Sequence, residues 1–243
     1  MVELLILWGY MLLVNGCIGA GVLKGFSGLS RRLASGGRKG KTSINDKEKD
    51  SLGFPFGMAA VLLAGVVAIT VYAQVFSLFG RVSAAAHLLL IVFAAVAAYW
   101  CRAELLAAWK RYRRILLSWE GVLYLSFAVM TAYFASRGLQ HTDTGIYHAQ
   151  MIRWYEEYGI VPGLANLQQH FGYNSAYLAY AAMFSMKGLL GQSLHGTTGF
   201  FQAFLVIWAL YGLKSFQSHK SHLADGCRAA ILLLSLIHIS EPT

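Results

Sequence analysis

The residues best suited to chemistry lie between His141 and Ser175. This polar and aromatic island, HTDTGIYHAQMIRWYEEYGIVPGLANLQQHFGYNS, is set between apolar runs. In a chain with only 11 acidic residues it gathers Asp143, Glu156 and Glu157, together with His141, His148 and His170. Asp143 has two readings. Flanked by Thr142 and Thr144, it suits a helix start, where a short acceptor side chain satisfies an orphan backbone N–H. It equally suits a general base for a hydroxyl nucleophile, a role that contributes about 10² to 10⁴ in rate. The three histidines suggest a divalent metal between Asp143 and a phosphate. Their spacings match no strong ligand motif, so no metal ligand is assigned and surface histidines are the plainer account.

Arg137 and Arg153 carry donors suited to a lipid phosphate, or act as interfacial anchors. Arg153 and Glu157 stand at i, i+4 and are expected to pair. Asn174 and Ser175 suit the cap of a following helix, and Asn174 also suits a sugar contact. The candidate substrate-binding residues are therefore His148, Arg153, His170 and Asn174, with Asp143 as the candidate catalytic residue. Tyr147, Met151, Trp154, Tyr155 and Tyr158 recur at spacings that share one helical face. That face is expected at the lipid headgroups, where aromatic rings concentrate. Pro162-Gly163 reads as a turn.

The elements that position this island are membrane spans. With 57% hydrophobic and 13% charged residues among 243, and a mean hydropathy of +0.52, the chain is too apolar for a water-soluble domain. The net charge of +9 comes from basic blocks between apolar runs, which is the pattern of cytoplasmic loops and not of a nucleic-acid surface. Cys17, Cys101 and Cys227 have no disulfide or zinc spacing.

A first span is expected at Val2 to Val22, since about 20 apolar residues cross the hydrocarbon core. The Gly-, Ser- and Lys/Arg-rich stretch Gly25 to Phe54 then reads as a cytoplasmic loop; its GRKGKTS string lacks the spacing and preceding strand of a phosphate-binding loop. Phe56 to Phe76 and Ala84 to Trp100 form an expected hairpin of spans, with His87 inside the second as a packed histidine or a functional one. Arg102 to Ile115 reads as a basic, surface-lying helix. A fourth span over Gly121 to Ala135 delivers the island to the extracytoplasmic face. Ala176 to Met186 is too short to cross and is expected on the outer surface, and Thr197 to Leu213 returns the chain to the inside. The fold class is all-α: a polytopic transmembrane bundle with an extracytoplasmic loop, 137–196, bearing two short surface helices.

A span, an outer loop with an early Asp, an aromatic helix, a second apolar helix and a further span resemble the N-terminal core of the GT-C superfamily of polytopic glycosyltransferases. More narrowly, DTGIYHAQMIRWYEEYGIVPGLANL followed by GYNS resembles a family of large, uncharacterised bacterial inner-membrane proteins. The matching positions include Asp143, Tyr147, His148, Trp154, Gly159, Pro162, Gly163, Asn166, Asn174 and Ser175. The resemblance covers Gly121 to Leu213. It implies a GT-C-like core over 119–233 behind a three-span region over 1–118. It further implies transfer of a sugar from a polyprenyl-phosphate donor to an envelope glycan or lipid, in the bacterial inner membrane. The final LSLIHISEPT, 234–243, resembles a translated sequencing adapter, so a fragment is expected. The alternatives are a transporter or channel, disfavoured by the scarcity of charge within the spans, and a non-catalytic assembly protein.

Overall fold

The computed structural model describes residues 1–35, 57–137, 143–217, 226, 227 and 230. Among them the chain is helical, without strands. The expected spans become α1 (Val2–Ser35), α2 (Met58–Ser77) and α3 (Ala84–Trp100). Then come α4 (Arg102–Leu116) and α5 (Trp119–Ser136). By length and composition, Val2–Leu29 and Met58–Ser77 suffice to cross a membrane; α3 with α4 makes a third candidate whose axis bends by 85°. The bend at Cys101 separates the apolar α3 from the basic α4. α5 and α9 (Thr197–Gln217) occupy the places expected of the last two spans.

α1 and α2 meet backbone to backbone. A Cβ at Gly19 would overlap the Val61 carbonyl, and one at Gly65 would overlap the Asn15 carbonyl. Small residues at such crossings let helices approach closely where lipid removes the usual hydrophobic drive. α3 lies on the other side of α1, with Ala97 against Gly21. The outward faces stay apolar: Leu63, Val67, Val71 and Val75, one turn apart on α2, are all at least half exposed. In water this would be an aggregation-prone stripe; in a bilayer it meets hydrocarbon.

Between α5 and α9 lies a unit of α6 (Ala149–Glu157), two 3-10 turns at Leu164–Asn166 and Gln169–Tyr173, α7 (Ala176–Met183) and α8 (Lys187–Leu190). It is keyed onto the α2–α3 turn. Val82 N–H donates to the Tyr155 carbonyl at 2.8 Å, and Ile160 N–H to the Ser77 carbonyl at 2.9 Å. Gly159, at φ +81, is indispensable there, because a side chain would be strained and would collide with the Gly80 and Ser77 carbonyls. The first two turns of α1 come to the same end, where Trp8 Nε1 donates to the Gly196 carbonyl at 2.9 Å. Lys24 and Glu104 pair at 2.7 Å near the basic α4. The N-terminus and this unit thus sit together, about 30 Å or more along α1 from Lys24 by helix rise.

Two expectations about this unit need correction. α7 does not lie on the membrane surface. Leu178 through Ser185 are all buried, the helix packs against α2 and α6, and the Tyr180 hydroxyl accepts a hydrogen bond from Asn15 Nδ2 at 2.8 Å. Asn15 stands 13 residues after Val2, about 20 Å along α1, so α7 is inserted within the bundle. Nor does the aromatic face of α6 meet headgroups. Met151 and Tyr155 are in the core, Tyr147 and Trp154 pack against it, and only Tyr158 is largely exposed. The periodicity identified an apolar face correctly; its cover is α7 and the α2–α3 turn, not lipid.

The α1–α2 crossing yields a direct test. Gly65→Val should destabilise the protein by about 1–3 kcal/mol through overpacking, measured as detergent-solubilised unfolding. Gly9→Ala, where an added Cβ meets nothing within 4 Å, should be neutral or stabilising by up to about 1 kcal/mol. Equal effects at the two sites would contradict the close crossing.

Candidate functional site

Asp143 stands at the entry to a π-helical turn, Thr144–His148, that runs directly into α6. Its expected capping role is absent. A capping residue takes an extended backbone, so that its side chain folds back over the first turn. Asp143 is already helical, at φ −63 and ψ −25, and makes no side-chain cap bond. Its Oδ2 instead accepts from the Tyr147 hydroxyl at 3.2 Å. Desolvation first, and the Asp143 carboxylate second, hold the Tyr147 phenol above its ordinary value. The phenol therefore remains a donor at neutral pH.

Tyr147 gathers the other candidates. His170 stacks on its ring at 4.9 Å between centroids, and His148 meets it edge-on at 4.2 Å. Tyr173 closes the cluster at 6.0 Å from Tyr147 and 5.4 Å from His170. Asp143, His148 and His170 are half-buried, while Tyr173 and Asn174 are exposed. Asn174, in the left-handed region at φ 42, accepts a hydrogen bond from the buried Tyr155 hydroxyl at 2.9 Å. It therefore ties the edge of the cluster to the core. Ser175 precedes α7 with extended backbone but makes no side-chain cap bond.

His141 and Thr142 lie outside the described residues. Among the described ones, no three His, Cys, Asp or Glu side chains are placed to share a metal ion, so no ligand set answers the suggested divalent cation. His87 is a packed histidine. Its Nδ1 faces the Met183 carbonyl at 3.0 Å and its Nε2 the Tyr10 hydroxyl at 2.8 Å. A carbonyl only accepts, so in the neutral ring Nδ1 carries the proton and Tyr10 donates to Nε2.

Arg153 belongs to a second network. Its Nε donates to Glu157 Oε1 at 3.0 Å, as the i, i+4 spacing predicts, and the same carboxylate oxygen receives Lys187 Nζ. Neighbouring Glu156 is buried; Ser193 Oγ lies 2.8 Å from both of its oxygens, and Lys187 Nζ is 3.6 Å away. A carboxylate removed from water needs such partners. Lys187, then Arg153, hold the Glu157 carboxyl below its ordinary value. The sequence reading overlooked Lys187 and Ser193. The available signal was that Lys187 is the sole Lys, Arg, Asp or Glu between Ala176 and Gly196.

Ser193→Ala leaves the Glu156 carboxylate without its hydroxyl donor and should cost about 1–3 kcal/mol of stability, read from unfolding in detergent. The Glu157 pairing contributes fully above the ordinary glutamate value of about 4.3 and is lost as pH falls through the lowered folded value. The stability gap between wild type and Lys187→Met should accordingly be largest at neutral pH and shrink on acidification. Identical pH slopes for the two proteins between neutral and strongly acid pH would contradict the pairing.

Neither a curated protein nor a solved structure matches the chain. A family model described as a domain of unknown function, DUF8201, matches residues 1–243. With an aromatic, carboxylate-bearing cluster on a helical membrane scaffold and the whole sequence covered by that model, the protein belongs to the DUF8201 family.

Proposed function

We propose that the protein belongs to a GT-C-like membrane glycosyltransferase. In this reading it transfers a sugar from a polyprenyl-phosphate carrier to a cell-envelope glycan or lipid, at the outer face of the bacterial inner membrane. The observation that carries the reading is the position of Asp143. Its carboxylate is not spent on helix capping, it is half-buried, and it borders a half-exposed ring cluster of Tyr147, His148, His170 and Tyr173. Aromatic faces suit the C–H faces of a sugar ring, and flanking imidazoles and Asn174 suit its hydroxyls. The uncommon π turn that carries Tyr147 and His148 adds support, since such turns frequently mark functional sites.

In the proposed reaction the acceptor hydroxyl attacks the anomeric carbon and the bond from that carbon to the phosphate oxygen breaks. Polyprenyl phosphate departs with the bonding electrons, and Asp143 takes the hydroxyl proton. The test is transfer by the protein in nanodiscs supplied with a panel of polyprenyl-phosphate sugars. Asp143→Asn retains an oxygen that accepts from Tyr147 but loses the base, so transfer should fall at least about 10²-fold with stability unchanged. An Asp143→Asn protein that transfers at the wild-type rate would refute the role, and a protein-independent background with every donor would refute the activity.

The reading also requires sidedness: N-terminus and 137–196 outside, α4 inside. Its support is the clustering of the unit between α5 and α9 with the first two turns of α1 and the α2–α3 turn, together with the basic character of α4. In a background lacking the exposed Cys227, single cysteines at Gln168 and Gln192 should react with an impermeant thiol reagent in intact cells. One at Lys110 should not. Labelling of Lys110→Cys ahead of the other two would invert the topology.

A further inference from the structure

At the end of the bundle away from the aromatic cluster, α1 between Ile18 and Leu29 and α3 between Phe93 and Trp100 diverge around an open hollow of about 460 Å³. Its lining is apolar apart from backbone, and it is floored by Gly21 and Gly25. A Cβ at Gly25 would stand 3.8 Å from Trp100 Cη2, so the missing side chain is part of what keeps the space open. Its volume is in the range of ligand sites. Its opening lies on the apolar surface of the helices, where Phe26 and Trp100 are more than half exposed.

The rim is charged. Lys24 Nζ lies 5.6 Å from the centre of the Trp100 ring, donates to the Trp100 carbonyl at 2.8 Å and pairs with Glu104. Lys24 thereby takes up the acidic side chain of α4, which otherwise carries Arg102, Lys110, Arg111, Arg113 and Arg114. Arg102 is exposed two residues beyond Trp100, with its guanidinium 5.1 Å from the centre of the Tyr99 ring. Tryptophan and tyrosine beside Lys and Arg at a helix end mark the headgroup level, and basic pockets between helices there favour anionic lipid headgroups.

We propose that this hollow binds one anionic phospholipid. An acyl chain lies along Gly21 and Gly25 beneath Trp100, and the phosphate is held at Arg102. Chain and charge are both required. The apolar hollow alone fits any lipid, and the basic helix alone attracts a diffuse lipid shell; their adjacency selects a single anionic molecule.

The test uses the whole protein in vesicles of equimolar phosphatidylglycerol and phosphatidylcholine, released into mild detergent for native mass spectrometry. Wild type should retain one phosphatidylglycerol, preferred about fivefold or more over phosphatidylcholine, the selectivity expected of one cation worth about 1 kcal/mol at the surface. Gly25→Leu places a helix-favouring side chain in the hollow and should abolish the retained lipid. Arg102→Gln, on an exposed site that leaves the fold intact, should keep a bound lipid but reduce the preference towards parity. Wild-type protein carrying the two lipids in the bulk ratio would overturn the proposal. So would retention and preference unchanged by Arg102→Gln.

Discussion

The backbone contact of α1 with α2 is the constraint on which the rest depends. Hydrocarbon solvates apolar side chains as well as another helix does, so association in a membrane must come from close packing and buried hydrogen bonds. Gly19 and Gly65 provide the close approach, since any Cβ at either would overlap the opposing carbonyl. The contact also creates a firm wall on α2, lined by Ile69 and Ala73, against which α7 can bury its full circumference.

The inserted α7 explains how polar groups are tolerated inside. Asn15 is fully buried; its Nδ2 donates to the Met11 carbonyl at 2.7 Å and to Tyr180 at 2.8 Å. His87 is bonded at both nitrogens, one bond running to the carbonyl end of α7. Each pairing locks α7 to a different helix, to α1 through Tyr180 and to α3 through Met183. Unpaired polar groups are costly at this depth; Asn15 Oδ1 has no hydrogen-bond partner among the described residues, so the bonds made by Nδ2 and by His87 fix the register of the insert more than they stabilise it. The Glu156–Ser193–Lys187 network does the same at the outer end, joining α6 to the segment after α7.

The aromatic cluster around Tyr147 is positioned by that rigid framework. Tyr155, about one turn beyond Met151 and buried, reaches Asn174, while the bonds from Val82 N–H to the Tyr155 carbonyl and from Ile160 N–H to the Ser77 carbonyl tie the same region to the α2–α3 turn. The rings are thereby held on supported backbone, with His170 stacked on Tyr147 and Tyr173 exposed at the edge of the cluster. Such a preorganised surface loses little on binding a ligand.

The sequence by itself determined the helical membrane class, because composition and run length dictate it. It also determined the short turn joining α2 and α3, the bend into a basic α4, the Arg153–Glu157 pair and the turn at Pro162-Gly163, which follow from local spacing and backbone preference. It singled out Asp143, His148 and His170 one by one, as scarce reactive types in a polar island. Only the tertiary structure decided their convergence on Tyr147, because a 3-10 turn and a reversal intervene between α6 and His170, which itself lies in the second 3-10 turn. It alone decided that the apolar face of α6 and α7 from Leu178 onward are covered by protein. A hydrophobic face records what must leave water, and the identity of its cover, lipid or helix, is a property of neighbours distant in the chain. The Asp143 side chain was settled the same way: its letter suits a cap, but a π turn gave it a helical backbone and turned the carboxylate toward Tyr147.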